Sequence, residues 1–124
     1  MNEEEQIKTM LDSAFQRLPP ELTCRDVLDV KRYFGMYMMF AKADVDFEPS
    51  IASGRPDSVV KTEKAIYIIE FKYAQSAEAA LAQCREKRYA DAYLSDGRRV
   101  VYVGVNYAPA ARTIDAVRTE VAVG

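Results

Sequence analysis

The sequence predicts an α/β domain, a mixed β-sheet flanked by helices, on three observations. Two stretches of helical periodicity come first, within residues 1–43. The run "AIYIIEF", Ala65–Phe71, then has the apolar, β-branched and aromatic composition of a strand buried on both faces. Beyond it a helical stretch leads into a further apolar strand, "RVVYVGVNY". The elements read α-α-β-β-β-α-β-β, an order that lays helices on a mixed sheet. The 124 residues are the size of one domain, with a helical part over 1–43 and a sheet-bearing core over 44–124.

Each element has a local cause. From Met1 to Leu18, Ile7, Met10, Leu11, Ala14, Phe15 and Leu18 recur at helical steps, and "PPE" stops the run. A second helix is expected over Arg25–Ala43, with Thr23 as N-cap and Asp26 in the first turn. Val45–Glu48 reads as a short strand and "IASGR" as a loop. A strand is expected from Pro56 to Val60 or Lys61, then a turn at "KTEK", then the strand Ala65–Tyr73. Ser76 is the expected N-cap of a third helix reaching about Leu94, with Glu78 in its first turn. "SDG" turns the chain into the strand Arg99–Tyr107, and Thr113–Val123 alternates as a last edge strand.

Composition removes several chemistries. With no histidine, Ser-His-Asp triads, Cys-His pairs and His-ligated zinc are excluded. Cys24 and Cys84 form no CxxC pair, as expected of reduced thiols in the cytoplasm. The acidic start "MNEEEQ" does not suit a signal peptide, and "YFGMYMMFA" falls far short of the ~20 residues that span a bilayer. Net charge is −2, unevenly divided: residues 1–50 hold 6 Lys/Arg and 10 Asp/Glu, residues 51–124 hold 11 and 9. The C-terminal part is the one suited to face a polyanion.

Glu70 and Lys72 break the apolar strand at its far end. Side chains alternate along a strand, so both point to one face, about 7 Å apart, with Ile66 and Ile68. Tyr67, Ile69, Phe71 and Tyr73 take the other. If the hairpin folds back symmetrically about its turn, Asp57 falls directly opposite Glu70, with Cβ atoms ~5 Å apart. Two carboxylates that close repel, and a divalent cation with oxygen ligands resolves the repulsion. Lys72 then stands beside the water or phosphate such a cation would hold. A solvated ion pair at a strand end is the plain alternative for Glu-x-Lys.

Pro56-Asp57, a spacer of about a dozen residues, and Glu70-Phe71-Lys72 on an apolar strand resemble the PD-(D/E)XK nuclease superfamily. The likeness is closer to the branch at the C-terminus of AAA-ATPase-like proteins of bacteria. Glu48, "GRPDSVV", "IYIIEFK" and "AALAQCREKRYADAYLSDGRRVVYVGVNY" follow in its order, over about Glu48–Tyr107. The resemblance implies a restriction-endonuclease-like core with an extra N-terminal helix. It makes Asp57 and Glu70 metal ligands, with the Phe71 carbonyl as a third and Glu48 as a further candidate. Lys72 would orient or activate the attacking water, with support from Gln83. The implied activity is phosphodiester hydrolysis with Mg²⁺ or Mn²⁺ on nucleic acid, DNA foremost.

Arg85, Lys87 and Arg88 lie beside Gln83 and are candidate phosphate contacts, a solvated helix face being the alternative. Tyr89 and Tyr93 match family aromatics and suit packing one helical turn apart. One departure concerns the second helix, where relatives carry a Glu three residues before a Tyr-His pair. Here Val30 takes that position, Asp29 is one step away, and Phe34 follows Tyr33. The departure leaves open a catalytically inactive module that binds nucleic acid or a protein partner. An interaction domain docking through its acidic N-terminal helix is a third reading. A homodimer and an ATPase-like partner are the candidate assemblies; no membrane contact is expected.

Overall fold

A computed structural model describes residues 1–124. The elements are α1 (Glu3–Gln16), α2 (Val27–Phe40), β1 (Asp44–Phe47), β2 (Ser58–Lys61), β3 (Ala65–Tyr73), α3 (Ala77–Glu86), β4 (Arg99–Ala108) and β5 (Thr113–Val123). Short 3₁₀ turns occupy Pro20–Leu22 and Tyr89–Tyr93. One sheet runs in the order β1-β2-β3-β4-β5. Only β3 and β4 are parallel, joined by α3; every other neighbour is antiparallel. This is the mixed sheet of a restriction-endonuclease-like α/β fold, with α1 as the additional N-terminal helix.

The alternation in β3 divides the core. Ile69 and Phe71 pack under α1 and α2, with Phe15, Val30 and Phe34 among their neighbours. Ile66 and Ile68 pack under α3 with Leu81, Cys84 and Tyr89. Val30, Phe34 and Met38 form the buried stripe of α2, and Phe34 meets the Phe71 ring at a 5.0 Å centroid distance. Each such apolar side chain contributes roughly 1.5–3 kcal/mol by leaving water. That stripe fixes the rotation of α2 over the sheet.

On the other face α3 lies almost on the backbone of β4. A Cβ at Gly104 would collide with the Ala77 carbonyl and crowd Ala80 and Leu81. Gly104 is the β4 neighbour of Glu70, so the absence of a side chain there brings α3 down beside the site. Buried Asn106 steers the chain into α3: its Oδ1 accepts from the Gln75 amide at 3.0 Å and its Nδ2 donates to Asp115 at 2.9 Å.

Two helix bounds need correction. Asp26, not Thr23, caps α2, its side chain accepting from the Asp29 amide. The Tyr73 hydroxyl donates to the Cys24 carbonyl and holds that segment to the sheet, so the helix begins later. The third helix stops at Glu86, and Arg88 turns left-handed (φ 50°, ψ 46°). That reversal lets Tyr89 and Ala90 enter the core, which a continuing helix would prevent. In the acidic N-terminal helix, Glu3 faces the sheet. Its carboxylate accepts from Arg99 at 2.6 and 3.0 Å and from the Tyr67 hydroxyl at 2.6 Å, while Glu4 accepts from the Thr119 amide.

Candidate metal centre

The β2–β3 hairpin has the register that the symmetric turn implied, with Ser58 facing Ile69 and Val59 facing Ile68. Asp57 and Glu70 are the next pair outward, and there the ladder changes character. The Asp57 amide donates to Glu70 Oε1 at 2.9 Å, and the Phe71 amide donates to Asp57 Oδ2 at 2.8 Å. Each carboxylate thus caps backbone at the other's strand. The Asp57 amide is thus taken by a side chain and not by the β3 backbone, and β2 begins at Ser58, not at Pro56.

Both acids are buried, Asp57 at 8% and Glu70 at 2% exposure. Burial, and then the negative charge of Asp57, pushes the Glu70 carboxyl up to about 8. Repulsion between paired carboxylates is therefore present in the metal-free protein, and protonation of Glu70 relieves it.

Lys72 leaves β3 on the same face as Glu70, and its ammonium donates to Gln83 Oε1 at 2.7 Å. Gln83 reaches it from α3, the helix lowered onto Gly104. Asp57, Glu70, Phe71, Lys72, Gln75 and Gln83 line one cavity of about 270 Å³ with Val27, Lys31 and Tyr73. Four of the sequence-proposed side chains are thus gathered at the C-terminal end of β3, where α/β sheets commonly bind ligands.

Glu48 is not gathered with them. It has a left-handed backbone (φ 46°) and its amide donates to the Asp57 carbonyl at 3.0 Å, but its side chain is 53% exposed and reaches towards Lys31, 3.9 Å away, outside the cavity of the other four. Arg85 and Arg88 are engaged elsewhere, with Glu120 at 2.7 Å and Asp91 at 3.0 Å. Lys87 is the C-cap of α3, and Arg88 lies beyond the helix, so the three do not form one helical face.

Sequence reasoning missed Lys31. Its ammonium lies 2.7 Å from Asp57 Oδ1, on the flank of α2 next to the buried Val30. Burial works against the charge, but the hydrogen bond and charge of Asp57 outweigh it and raise the Lys31 pKa. Val30 itself is wholly inside the core, and Asp29 is spent on Arg25 at 2.9 and 3.0 Å. The available signal was Lys31 beside the substituted acid position.

The donors suit a hard cation. Asp57 and Glu70 offer carboxylate oxygens, and no third His, Cys, Asp or Glu joins them. In an extended strand a residue's N–H and C=O point to the same edge, so the Phe71 carbonyl shares the edge at which its amide meets Asp57. Two carboxylates and a carbonyl, completed by water, match what Mg²⁺ or Mn²⁺ accepts. The thiols are excluded as ligands or nucleophiles: both are buried, and burial pushes the pKa of Cys24 and of Cys84 up.

A family model described as the PD-(D/E)XK nuclease superfamily matches residues 30–117, more than half of the chain. An uncharacterized protein in the vnfD 5′ region of Azotobacter chroococcum mcd 1 is 28% identical over 117 residues. That match covers 87% of this chain and 22% of the relative, so the chain spans about a fifth of that protein. No solved structure matches.

Proposed function

Because the chain belongs to the PD-(D/E)XK nuclease superfamily, we propose that it hydrolyses phosphodiester bonds of nucleic acid, DNA foremost, with Mg²⁺ or Mn²⁺ as cofactor. The observation that carries the proposal is the cavity holding Asp57 and Glu70 at one wall and the Lys72–Gln83 pair at another. Asp57, Glu70 and the Phe71 carbonyl would hold the cation. When bound, it supplies charge to neutralise the phosphate and to make water a better nucleophile. Lys72, fixed by Gln83, orients the attacking water toward phosphorus. Gln83 accepts from the ammonium at 2.7 Å, and both side chains line the cavity.

Two observations favour a second reading: the ammonium of Lys31 lies on Asp57 Oδ1, and the second-helix acid is missing. On that reading the chain is an inactive nuclease-fold module that binds nucleic acid or a protein. The two readings part on cleavage. Wild-type protein with Mg²⁺ or Mn²⁺ should nick single- or double-stranded DNA, and Lys72→Met should abolish this while remaining folded. Cleavage by Lys72→Met at the wild-type rate removes Lys72 from the mechanism; no cleavage by either favours the inactive module.

The small share of the relative that this chain covers suits a domain working beside a larger one. An ATPase-like partner, the kinship with the AAA-ATPase-associated branch and a homodimer belong to this proposal, as does a cytoplasmic location. No helix is long and apolar enough to cross a membrane.

A further inference from the structure

Lys31 lies outside the sequence pattern of the site, yet it makes the shortest ion pair there. Its place follows from packing: the buried stripe Val30, Phe34 and Met38 holds α2 to the sheet, and Lys31 projects from the flank beside it into the cavity. Its ammonium takes Asp57 Oδ1 at 2.7 Å, while Asp57 Oδ2 is already bonded to the Phe71 amide. Both Asp57 oxygens thus already accept a bond, and a cation that uses Asp57 comes within a few ångströms of the Lys31 ammonium and competes with it for the carboxylate. Glu48 lines the neighbouring cavity with Lys31 and Asp57, 3.9 Å from the same ammonium and half exposed, positioned to receive it.

We infer that Lys31 is the resident counter-ion of the site and that a divalent cation binds Asp57 in competition with it, the displaced ammonium moving to Glu48. This rests on the reading that Asp57 and Glu70 hold a cation. Metal affinity is then set partly by a residue that never touches the metal. A phosphodiester in the cavity offers the released ammonium a stronger partner than Glu48, so metal and nucleic acid favour each other's binding.

Mn²⁺ titration of the full chain, followed by water-proton relaxation without nucleic acid, tests the inference. Lys31→Met and Lys31→Gln should bind Mn²⁺ about tenfold more tightly than wild type or better, as removal of a like charge within a few ångströms requires. Glu48→Gln should bind it more weakly. Circular dichroism checks folding, and Lys31→Gln, which keeps a donor for Asp57, decides the matter if the methionine variant does not fold. Unchanged or weaker affinity in the folded Lys31 variant, with wild type binding, overturns the competition but leaves the metal site standing. No binding by wild type or variant at millimolar Mn²⁺ overturns both.

Discussion

Burial and then the Asp57 charge hold the Glu70 carboxyl well above the usual carboxylate range in the metal-free protein, up to about 8. The folded state thus holds a proton that the unfolded state releases near 4.5. Stability is full below that lower value and declines as pH rises through about 8. Thermal melts in chelator should show wild type losing on the order of 2 kcal/mol or more across this window, with the loss much reduced in Glu70→Gln. Equal pH dependence in both proteins would remove Glu70 as the cause. Millimolar Mn²⁺ should raise the wild-type melting temperature and leave that of Glu70→Gln nearly unmoved. For Gln83→Leu, which strips Lys72 of its partner, kcat should fall about 10–100-fold with KM little changed. Asp57, Glu70 and Lys72 were legible because strand alternation and hairpin register assign faces without any knowledge of packing. Lys31 was not, because its direction depends on how α2 rotates over the sheet.

Among the elements, α3 ties the site to the core. Its approach to β4 depends on Gly104, where any side chain meets the Ala77 carbonyl. Gly104→Ala should cost about 1–3 kcal/mol, read as a lower urea midpoint, and should reduce cleavage by moving Gln83 away from Lys72. An unchanged midpoint would show that α3 shifts at no cost. The same helix shows where local reading fails. "REKRYADAYL" keeps helical propensity past Glu86, yet burial of Tyr89 and Ala90 wins and the helix ends. The bounds of β3 and β5 match expectation, since apolar composition and flanking turns mark them directly. With Arg85 and Arg88 paired to Glu120 and Asp91, neutralising both should leave the salt slope of DNA binding unchanged. A fall of about one unit per arginine would make them phosphate contacts after all.

For the molecule as a whole, the sheet divides the protein into an α1–α2 side and an α3 side, and the site opens at the C-terminal end of β3. The order of elements was legible because each apolar run is bounded by turn or capping residues. The parallel pairing of β3 and β4 and the depth of Glu70 are products of the assembled sheet. Net charge of −2 supplies no general attraction for a polyanion. Affinity for DNA should therefore depend on the cation, and gel shifts with Ca²⁺ should weaken sharply when chelator replaces it; equal binding in both would place the contact elsewhere. The central claim is that Asp57 and Glu70 share a divalent cation. Anomalous diffraction from crystals grown with Mn²⁺ tests it most directly. The account predicts a peak about 2.1 Å from an oxygen of each carboxylate, with the Phe71 carbonyl beside it and Lys31 withdrawn from Asp57. The contradicting result is no peak at saturating Mn²⁺, with the Lys31 ammonium still on Asp57 at its metal-free distance of 2.7 Å.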